Sequence, residues 1–522
     1  MKKGAFNMSK IAKTTIQIMA LTIFAKFLGL VREQVLAASY GTTIYADAYV
    51  TAMKMPTMMF TAIGAAIATS LIPIYTKIEA NDGEKKADAF INNLMNIVIL
   101  LCSVVVVLCI IFSEPLVKVF AMGFEGEKLD ITVNFVRIIL LAIIFIGMNN
   151  IMTSYLQIKN NFIAPALISL PYNIIIIASI VISLKANEYV MIVGALIAIF
   201  SQVLFQMPFM SKKGYRHSVK TNFKDENVKQ MVLLVLPVLV GVGAEQINTL
   251  VDGTLASTFG DGVVSSFNYA NRLYLFVQAM FVTSILSVVY PLMAKALASG
   301  DKQAFKDAFR STMNGIILFI IPITVGTMVL AQPIVKVLFE RGQFNSEDTI
   351  MTANILMVYI LGIIAFSLRN AMSRAFYSLH DTKTPMVNGA IAIIFNIVLN
   401  IILSRYLGYI GLALATTISA FIGLALFFIS LKKKVGDFEG KKILSTSIKS
   451  SIAALAMGVL TYVIYNFLNL VLGSGLIHQV ITLGMSISIG ALVYGILVVI
   501  FKVEEINYII GVVKSKLKRN SK

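Results

Sequence analysis

Long apolar stretches alternate with short polar ones along the whole 522-residue chain. An α-helix needs about 20 mainly apolar residues to cross the hydrocarbon core of a membrane. The pattern predicts an all-α polytopic membrane protein with fourteen transmembrane helices. These segments are 12–40, 46–77, 90–113, 130–156, 163–184, 189–210, 230–258, 264–297, 309–331, 350–377, 385–404, 410–431, 447–470 and 478–501.

Lysine and arginine concentrate in every second loop between these segments. Cytoplasmic loops of membrane proteins carry the excess of positive charge. The pattern therefore predicts that both termini are cytoplasmic. The apolar stretch after the basic start is too long for a cleavable signal, so we expect the first helix to stay in the membrane. The net charge of +18 is expected to face anionic lipid headgroups, which argues against nucleic acid as a partner.

Composition gives no indication of an enzyme. Hydrophobic residues make up 58% of the chain and charged residues 13%. Cys102 and Cys109 share one apolar helix and are too far apart to form a disulfide. The sequence contains no HExxH, CxxC or phosphate-binding glycine loop. We therefore expect a non-enzymatic membrane protein without a resident cofactor.

The two halves of the chain resemble each other. LAASYG at 36–41 recurs as LASTFG at 255–260, EPLVKVF at 114–120 recurs as QPIVKVL at 332–338, and Pro165 matches Pro385. An even number of helices separates the copies, which predicts two pseudosymmetric six-helix lobes in the same orientation. We expect lobes at 1–215 and 216–435, a substrate cavity between them, and two further helices with a basic tail at 436–522.

Charged residues interrupt several of the apolar segments. A charge at this depth is costly and usually faces a protein interior or an aqueous cavity. Because cations predominate, an anionic substrate is favoured, and the planar fork of arginine suits phosphate oxygens. Alternatively, Arg32 and Glu33 lie at the outer interface, and Asp47 caps its helix and joins one core ion pair. The candidate binding residues are Lys26, Arg32, Glu33, Asp47, Lys54 and Arg272.

Oxygen-bearing side chains form a second candidate group. Asn396 and Asn400 are one helical turn apart, Thr416 begins the next helix, and Asp252 lies in the seventh. Carboxylate, amide and hydroxyl oxygens suit a small hard cation, for which Na⁺ is the candidate. The alternative is that these groups form polar contacts between helices.

Three stretches resemble the MurJ/MviN family. They are KFLGLVREQVLAASYGTTIYADAYVTAMKMP, YANRLYLFVQAMFVTSILSVVYPLMAKA and FYSLHDTKTPMVNGAIAIIFNIVLN. The resemblance implies a flippase for lipid II in the bacterial inner membrane. It also implies that Arg32, Glu33 and Arg272 surround the lipid pyrophosphate, that Lys26 stands where the family often has arginine, and that Asp47 is the family's helix 2 acid.

The same resemblance implies a sodium site at Asp252, Asn396, Asn400 and Thr416, with Asn400 in place of an expected aspartate. Two other positions depart from the family. Phe60 and Ala65 stand where an arginine and a glutamate are usual, which removes one cavity cation and one acid. Lys54 lies six residues before Phe60 and is a candidate to compensate.

Three hypotheses of function follow. The first is a lipid II flippase that works by alternating access, driven by Na⁺ or the membrane potential, with cell-wall synthesis proteins as further partners. The second is a transporter for another polyprenyl-linked glycan or a drug exporter of the same fold, although organic cations would require an acidic cavity. The third is a non-transporting scaffold of envelope synthesis, which would tolerate neutralisation of the buried cations.

Overall fold

The computed structural model describes residues 2–298, 301–473 and 475–503. Side chains are described within these ranges except for 2–20, 236–242, 244–245, 281–292, 294, 296–298 and 302. Helices are the only regular secondary structure among the described residues. Its α-helices are α1 (Lys2–Tyr40), α2 (Ile44–Asp82), α3 (Glu84–Ile111), α4 (Ser113–Phe120), α5 (Gly126–Ile139), α6 (Ala142–Ile158), α7 (Ile163–Leu167), α8 (Ser169–Ser183), α9 (Tyr189–Lys212), α10 (Glu226–Ala256), α11 (Val263–Ala298), α12 (Lys302–Val329), α13 (Ala331–Phe339), α14 (Ser346–Ser378), α15 (Lys383–Leu407), α16 (Tyr409–Val435), α17 (Gly440–Leu472) and α18 (Leu476–Ile500).

Most of these helices satisfy the length and hydropathy expected of membrane spans. Lipid cannot hydrogen-bond to the backbone, so a spanning segment must satisfy its own N–H and C=O groups, which an α-helix does. In the described part of the chain ten spans qualify, with α7 and α8 taken together. The pair α5–α6, bent by 41°, adds an eleventh if its two helices are counted as one span. α1, α10 and α11 overlap the remaining three predicted segments. The all-helical membrane fold is confirmed, and the count of fourteen stays a prediction.

The predicted repeat is visible in two short helices. α4 and α13 carry the matching sequences SEPLVKVF and AQPIVKVLF. Each follows a long apolar helix after a break at a single residue, Phe112 or Leu330. The repeated sequence therefore folds into the same local structure in both halves.

A matching turn follows α6 and α14. Asn160 and His380 both adopt left-handed backbone, with φ of 58° and 56°. The next residue donates its N–H to a carbonyl five residues earlier, from Asn161 to Leu156 at 2.8 Å and from Asp381 to Phe376 at 2.9 Å. The side chains of Asn161 and Asp381 then accept the N–H of the residue three positions later. Such side-chain caps satisfy helix N–H groups that have no partner within the helix.

The chain forms two compact units. The first contains residues 1–265 and 341–345, and the second contains residues 266–340 and 346–522. In the first unit, buried side chains from α2, α3 and α6 form the core, including Tyr75, Phe90 and Tyr155. The second has its own core on α12, α14 and α16. The predicted lobe boundaries at 215 and 435 remain predictions. α10, which follows the first of them in the chain, belongs to the first compact unit.

The linker between α9 and α10 lies against α3. Asn92, Asn93 and Asn96 of α3 hydrogen-bond to its backbone between Arg216 and Asn222 at 2.6 to 3.1 Å. Burial raises the pKa of Tyr215 at its start to about 12. We call residues 215–225 the linker strap. Three asparagines thus fix the course of a polar segment that contains no helix of its own.

Candidate functional site

Arg32 is held inside the first unit by α1 and α8. Its Nη2 donates to Glu33 Oε1 at 2.6 Å, and its Nη1 lies 3.4 Å from Asn173 Oδ1. The guanidinium also lies over the ring of Tyr172, 5.5 Å from the centroid. Only 15% of the Arg32 side chain is exposed. These contacts engage two of the five N–H donors of a guanidinium, so the group can offer others to an anion.

Lys26 and Lys54 are placed differently. Lys26, on α1, is exposed. Lys54, on α2, is half-buried and lines a small cavity beside Thr51 and Thr249. Arg272 is exposed near the start of α11 and belongs to the second unit. Lys54 and Arg272, both predicted to bind substrate, therefore belong to two units that are described separately, and a shared cavity for them stays a prediction.

Asp47 is fully buried and engaged through both carboxylate oxygens. Oδ2 accepts from Lys128 Nζ at 2.6 Å and from the N–H of Gly262 at 2.8 Å. Oδ1 accepts from the N–H of Ser265 at 2.7 Å. Two of these donors are backbone groups at the start of α11, where a carboxylate is stabilised by the N–H groups that lack helical partners. Asp47 therefore joins α2 to the first turn of α11.

Lys128 completes this cluster and is a residue that the sequence analysis did not select. It belongs to α5 and is 7% exposed. Its Nζ also lies 3.0 Å from Asp261, and it sits 4.2 Å from the centroid of the Phe124 ring. In the sequence, Lys128 lies between two apolar segments and resembles an ordinary loop lysine. The signal that could have found it was the buried acid at position 47, which requires a nearby cation.

The geometry of Asp47 agrees with the alternative interpretation of a helix cap with a core ion pair. Its two oxygens accept three hydrogen bonds from protein donors. The arrangement holds three segments together, and a direct contact of Asp47 with substrate remains a prediction. Among the predicted cations of the first unit, Arg32 has a largely buried guanidinium, and the N–H groups of a guanidinium suit phosphate oxygens.

Three of the four predicted sodium ligands form one group in the second unit. Asn400 Nδ2 donates to Asn396 Oδ1 at 3.0 Å, and Asn396 Nδ2 lies 3.3 Å from Thr416 Oγ1. Asp252 lies on α10, in the first unit. The contacts of these three neutral side chains agree with the alternative of a polar contact between α15 and α16. A sodium site that Asp252 completes stays a prediction. The described residues include no cluster of three or more histidines, cysteines or acids suited to a metal.

Phe60 occupies an interior position of the first unit. It is 5% exposed. A methyl group added at Gly147 of α6 would come within 3.2 Å of the Phe60 ring, so the two residues are closely packed. Ala65, five residues later on α2, is half-buried. In this chain position 60 therefore contributes apolar packing between α2 and α6.

Comparison with known proteins identifies relatives across nearly the whole chain. The family described as lipid II flippase MurJ matches residues 36–495. A probable lipid II flippase MurJ from Vibrio cholerae is 29% identical and covers 81% of this chain and 83% of its own length. The corresponding protein from Rickettsia prowazekii is 28% identical and covers 91% and 94%.

Solved structures agree with this relationship. A lipid II flippase MurJ in an inward closed conformation matches with a TM-score of 0.79 at 28% identity, covering 93% of this chain and 98% of its own. An inward-facing multidrug resistance transporter of the MATE family matches with a TM-score of 0.68 at 14% identity, covering 80% and 96%. The second likeness concerns the fold alone.

Proposed function

The chain belongs to the lipid II flippase MurJ family, and we propose that it moves lipid II from the cytoplasmic to the outer leaflet of the bacterial inner membrane. Lipid II is the undecaprenyl-pyrophosphate-linked precursor of peptidoglycan. The match over residues 36–495 is the observation that carries this proposal. The family consists of transporters, so the chain is a transport protein and not an enzyme.

The proposed mechanism is alternating access. The headgroup and pyrophosphate enter a central cavity from the cytoplasm while the polyprenyl tail remains in lipid, and rocking of the two lobes then exposes the headgroup outside. Both termini are cytoplasmic in this proposal. Arg32 supports it because its guanidinium is largely buried and its position is fixed by Glu33 and Asn173. A fixed guanidinium loses little conformational entropy on binding pyrophosphate oxygens.

The remaining candidates have assigned roles in this proposal. Lys26, Lys54 and Arg272 add positive charge to the substrate cavity, and Asp47 with Lys128 keeps the start of α11 attached to α2 and α5. Na⁺ or the membrane potential supplies the driving force. Collapsing the Na⁺ gradient and the membrane potential one at a time in membrane vesicles distinguishes these two driving forces. Transport should stop when the one that drives it is collapsed and continue when the other is collapsed.

Complementation tests the proposed function. The native flippase is depleted in a bacterium that depends on it, this chain is expressed, and survival and externally accessible lipid II are measured. Wild type should restore both. Arg32→Ala and Arg272→Ala should insert normally yet lower transport by about tenfold or more, since each removes a charged hydrogen-bond donor. Normal transport by both variants would exclude the cationic-cavity mechanism.

A flippase for another polyprenyl-linked glycan is the second candidate. Phe60 packs against Gly147 at a position where the family resemblance implies an arginine. The loss of that cation supports a substrate that differs from lipid II. Failure of the inserted and abundant wild-type protein to restore external lipid II would favour this candidate over lipid II.

A further inference from the structure

A cavity of about 520 Å³ lies within the second unit. It is bounded by α12, α14, α16 and the beginning of α17, at helix ends that the loop charges place on the cytoplasmic side. Its wall is mainly apolar, formed by Met313, Ile317, Leu368, Met372, Leu424 and Phe428. Such a wall favours a hydrocarbon group, because it offers few hydrogen-bonding partners to water or to a polar ligand.

The polar residues of the cavity lie at its cytoplasmic end. Lys432 is in the last turn of α16 and Lys441 is in the first turn of α17. Both are exposed, and within the described part of the chain neither lies within ion-pair distance of a carboxylate. Asp437 is the acid beside them, and its Oδ1 lies 3.3 Å from the N–H of Gly440. Two cations and one acid leave this end positively charged.

Three nearby cations, Lys434, Lys442 and Arg310, differ from these two because they have acidic partners. Lys434 contacts Asp381 at 2.5 Å, a contact that holds the pKa of Asp381 well below its usual range. Lys442 contacts Glu439 at 3.2 Å, and Arg310 also pairs with Glu439. The positive charge of Lys432 and Lys441 therefore remains available to an external anion at the end of an apolar cavity.

We propose that this cavity binds an anionic glycerophospholipid of the cytoplasmic leaflet. One acyl chain lies against Leu424 and Phe428, and the phosphate lies between Lys432 and Lys441. Free phosphate would not need the apolar wall, and a neutral lipid would not need the two lysines. Both features together match a headgroup with net negative charge on a hydrocarbon chain. The site is separate from the proposed transport of lipid II and does not rest on it.

Native mass spectrometry of the purified full-length protein tests this assignment. Phosphatidylglycerol and phosphatidylcholine with identical acyl chains are the probes. Lys432→Ala combined with Lys441→Ala should weaken phosphatidylglycerol binding roughly 30-fold and weaken phosphatidylcholine binding much less, because the choline ammonium offsets the charge of its phosphate. Lys383→Ala combined with Lys433→Ala is the matched control, since it removes two exposed lysines that do not line the cavity. This control should bind phosphatidylglycerol like wild type.

A second variant tests the apolar part of the site. Leu424→Trp fills the cavity while both lysines remain, and it should prevent labelling of α16 by phosphatidylglycerol with a photoreactive acyl chain. Equal loss of binding in the two double-lysine variants would overturn the proposal in favour of general surface attraction. Labelling of α16 that persists in Leu424→Trp would also overturn it. Displacement of the probe by polyprenyl phosphate at lower concentration than by phosphatidylglycerol would assign the cavity to a polyprenyl chain instead.

Discussion

Two buried charges of the first unit are compensated by neighbouring side chains. Arg32 pairs with Glu33, and Asp47 pairs with Lys128 while accepting two backbone hydrogen bonds. A buried ion left without its partner is strongly destabilising, whereas the intact pair contributes little net stability. Single substitutions at these positions therefore affect folding as well as binding, so transport by Arg32→Ala is compared with wild type at equal amounts of inserted protein.

Replacing Lys128 by methionine should lower the free energy of unfolding by about 3–5 kcal/mol, because Asp47 then stays buried without a cation. Asp47→Asn combined with Lys128→Met should recover part of this loss, since the remaining amide carries no charge. Denaturant unfolding of the purified protein measures both. Lys85→Met, at an exposed lysine, is the control. Stability of Lys128→Met equal to that control would contradict the structural role of the ion pair.

Restoring the family's arginine at position 60 should harm this chain. Phe60→Arg would place a charge between α2 and α6, against Gly147, and should lower stability by about 3 kcal/mol or more. Phe60→Leu keeps the apolar contact and should be tolerated far better. Thermal unfolding compares the two variants. A Phe60→Arg protein that is as stable as wild type and transports faster would show that position 60 faces the substrate.

At the scale of elements, the pattern of apolar residues predicted the helices, but it did not predict which distant segments hydrogen-bond to them. Periodicity reports which positions avoid water, so the long spans and the repeated short helices α4 and α13 followed from the sequence. It does not report hydrogen bonds between distant segments. The asparagines of FINNLMN in α3, which hold the linker strap, therefore gave no recognisable signal.

Asn92→Ala combined with Asn93→Ala should release the linker strap from α3. Each lost hydrogen bond contributes about 1 kcal/mol, so amide hydrogen exchange at residues 218 and 222 should accelerate roughly tenfold or more. Hydrogen–deuterium exchange with mass spectrometry measures this change. Asn134→Ala removes a hydrogen bond to Tyr189 elsewhere in the first unit and is the control. Unchanged exchange in the strap would mean that other contacts hold it.

At the scale of the whole molecule, the sequence predicted the membrane fold and the internal repeat, because both depend on residues that follow one another along the chain. The candidate site was harder to predict from the sequence. Lys128 and Asp47 are 81 residues apart and meet only after folding, and a lysine near a helix start resembles any loop lysine. Phe60 is interior because its ring packs closely against Gly147 of another helix, and the sequence does not show that contact. Roles for Lys26, Lys54 and Arg272 in one cavity remain predictions.

Transport of lipid II by the purified protein is the central claim, and reconstitution measures it most directly. Liposomes containing fluorescent lipid II and this chain should move the lipid between leaflets, as reported by an impermeant quencher. Arg32→Ala should slow that movement while the liposomes retain equal amounts of protein. Movement no faster than in protein-free liposomes, with the cation gradient and membrane potential applied, would contradict the account.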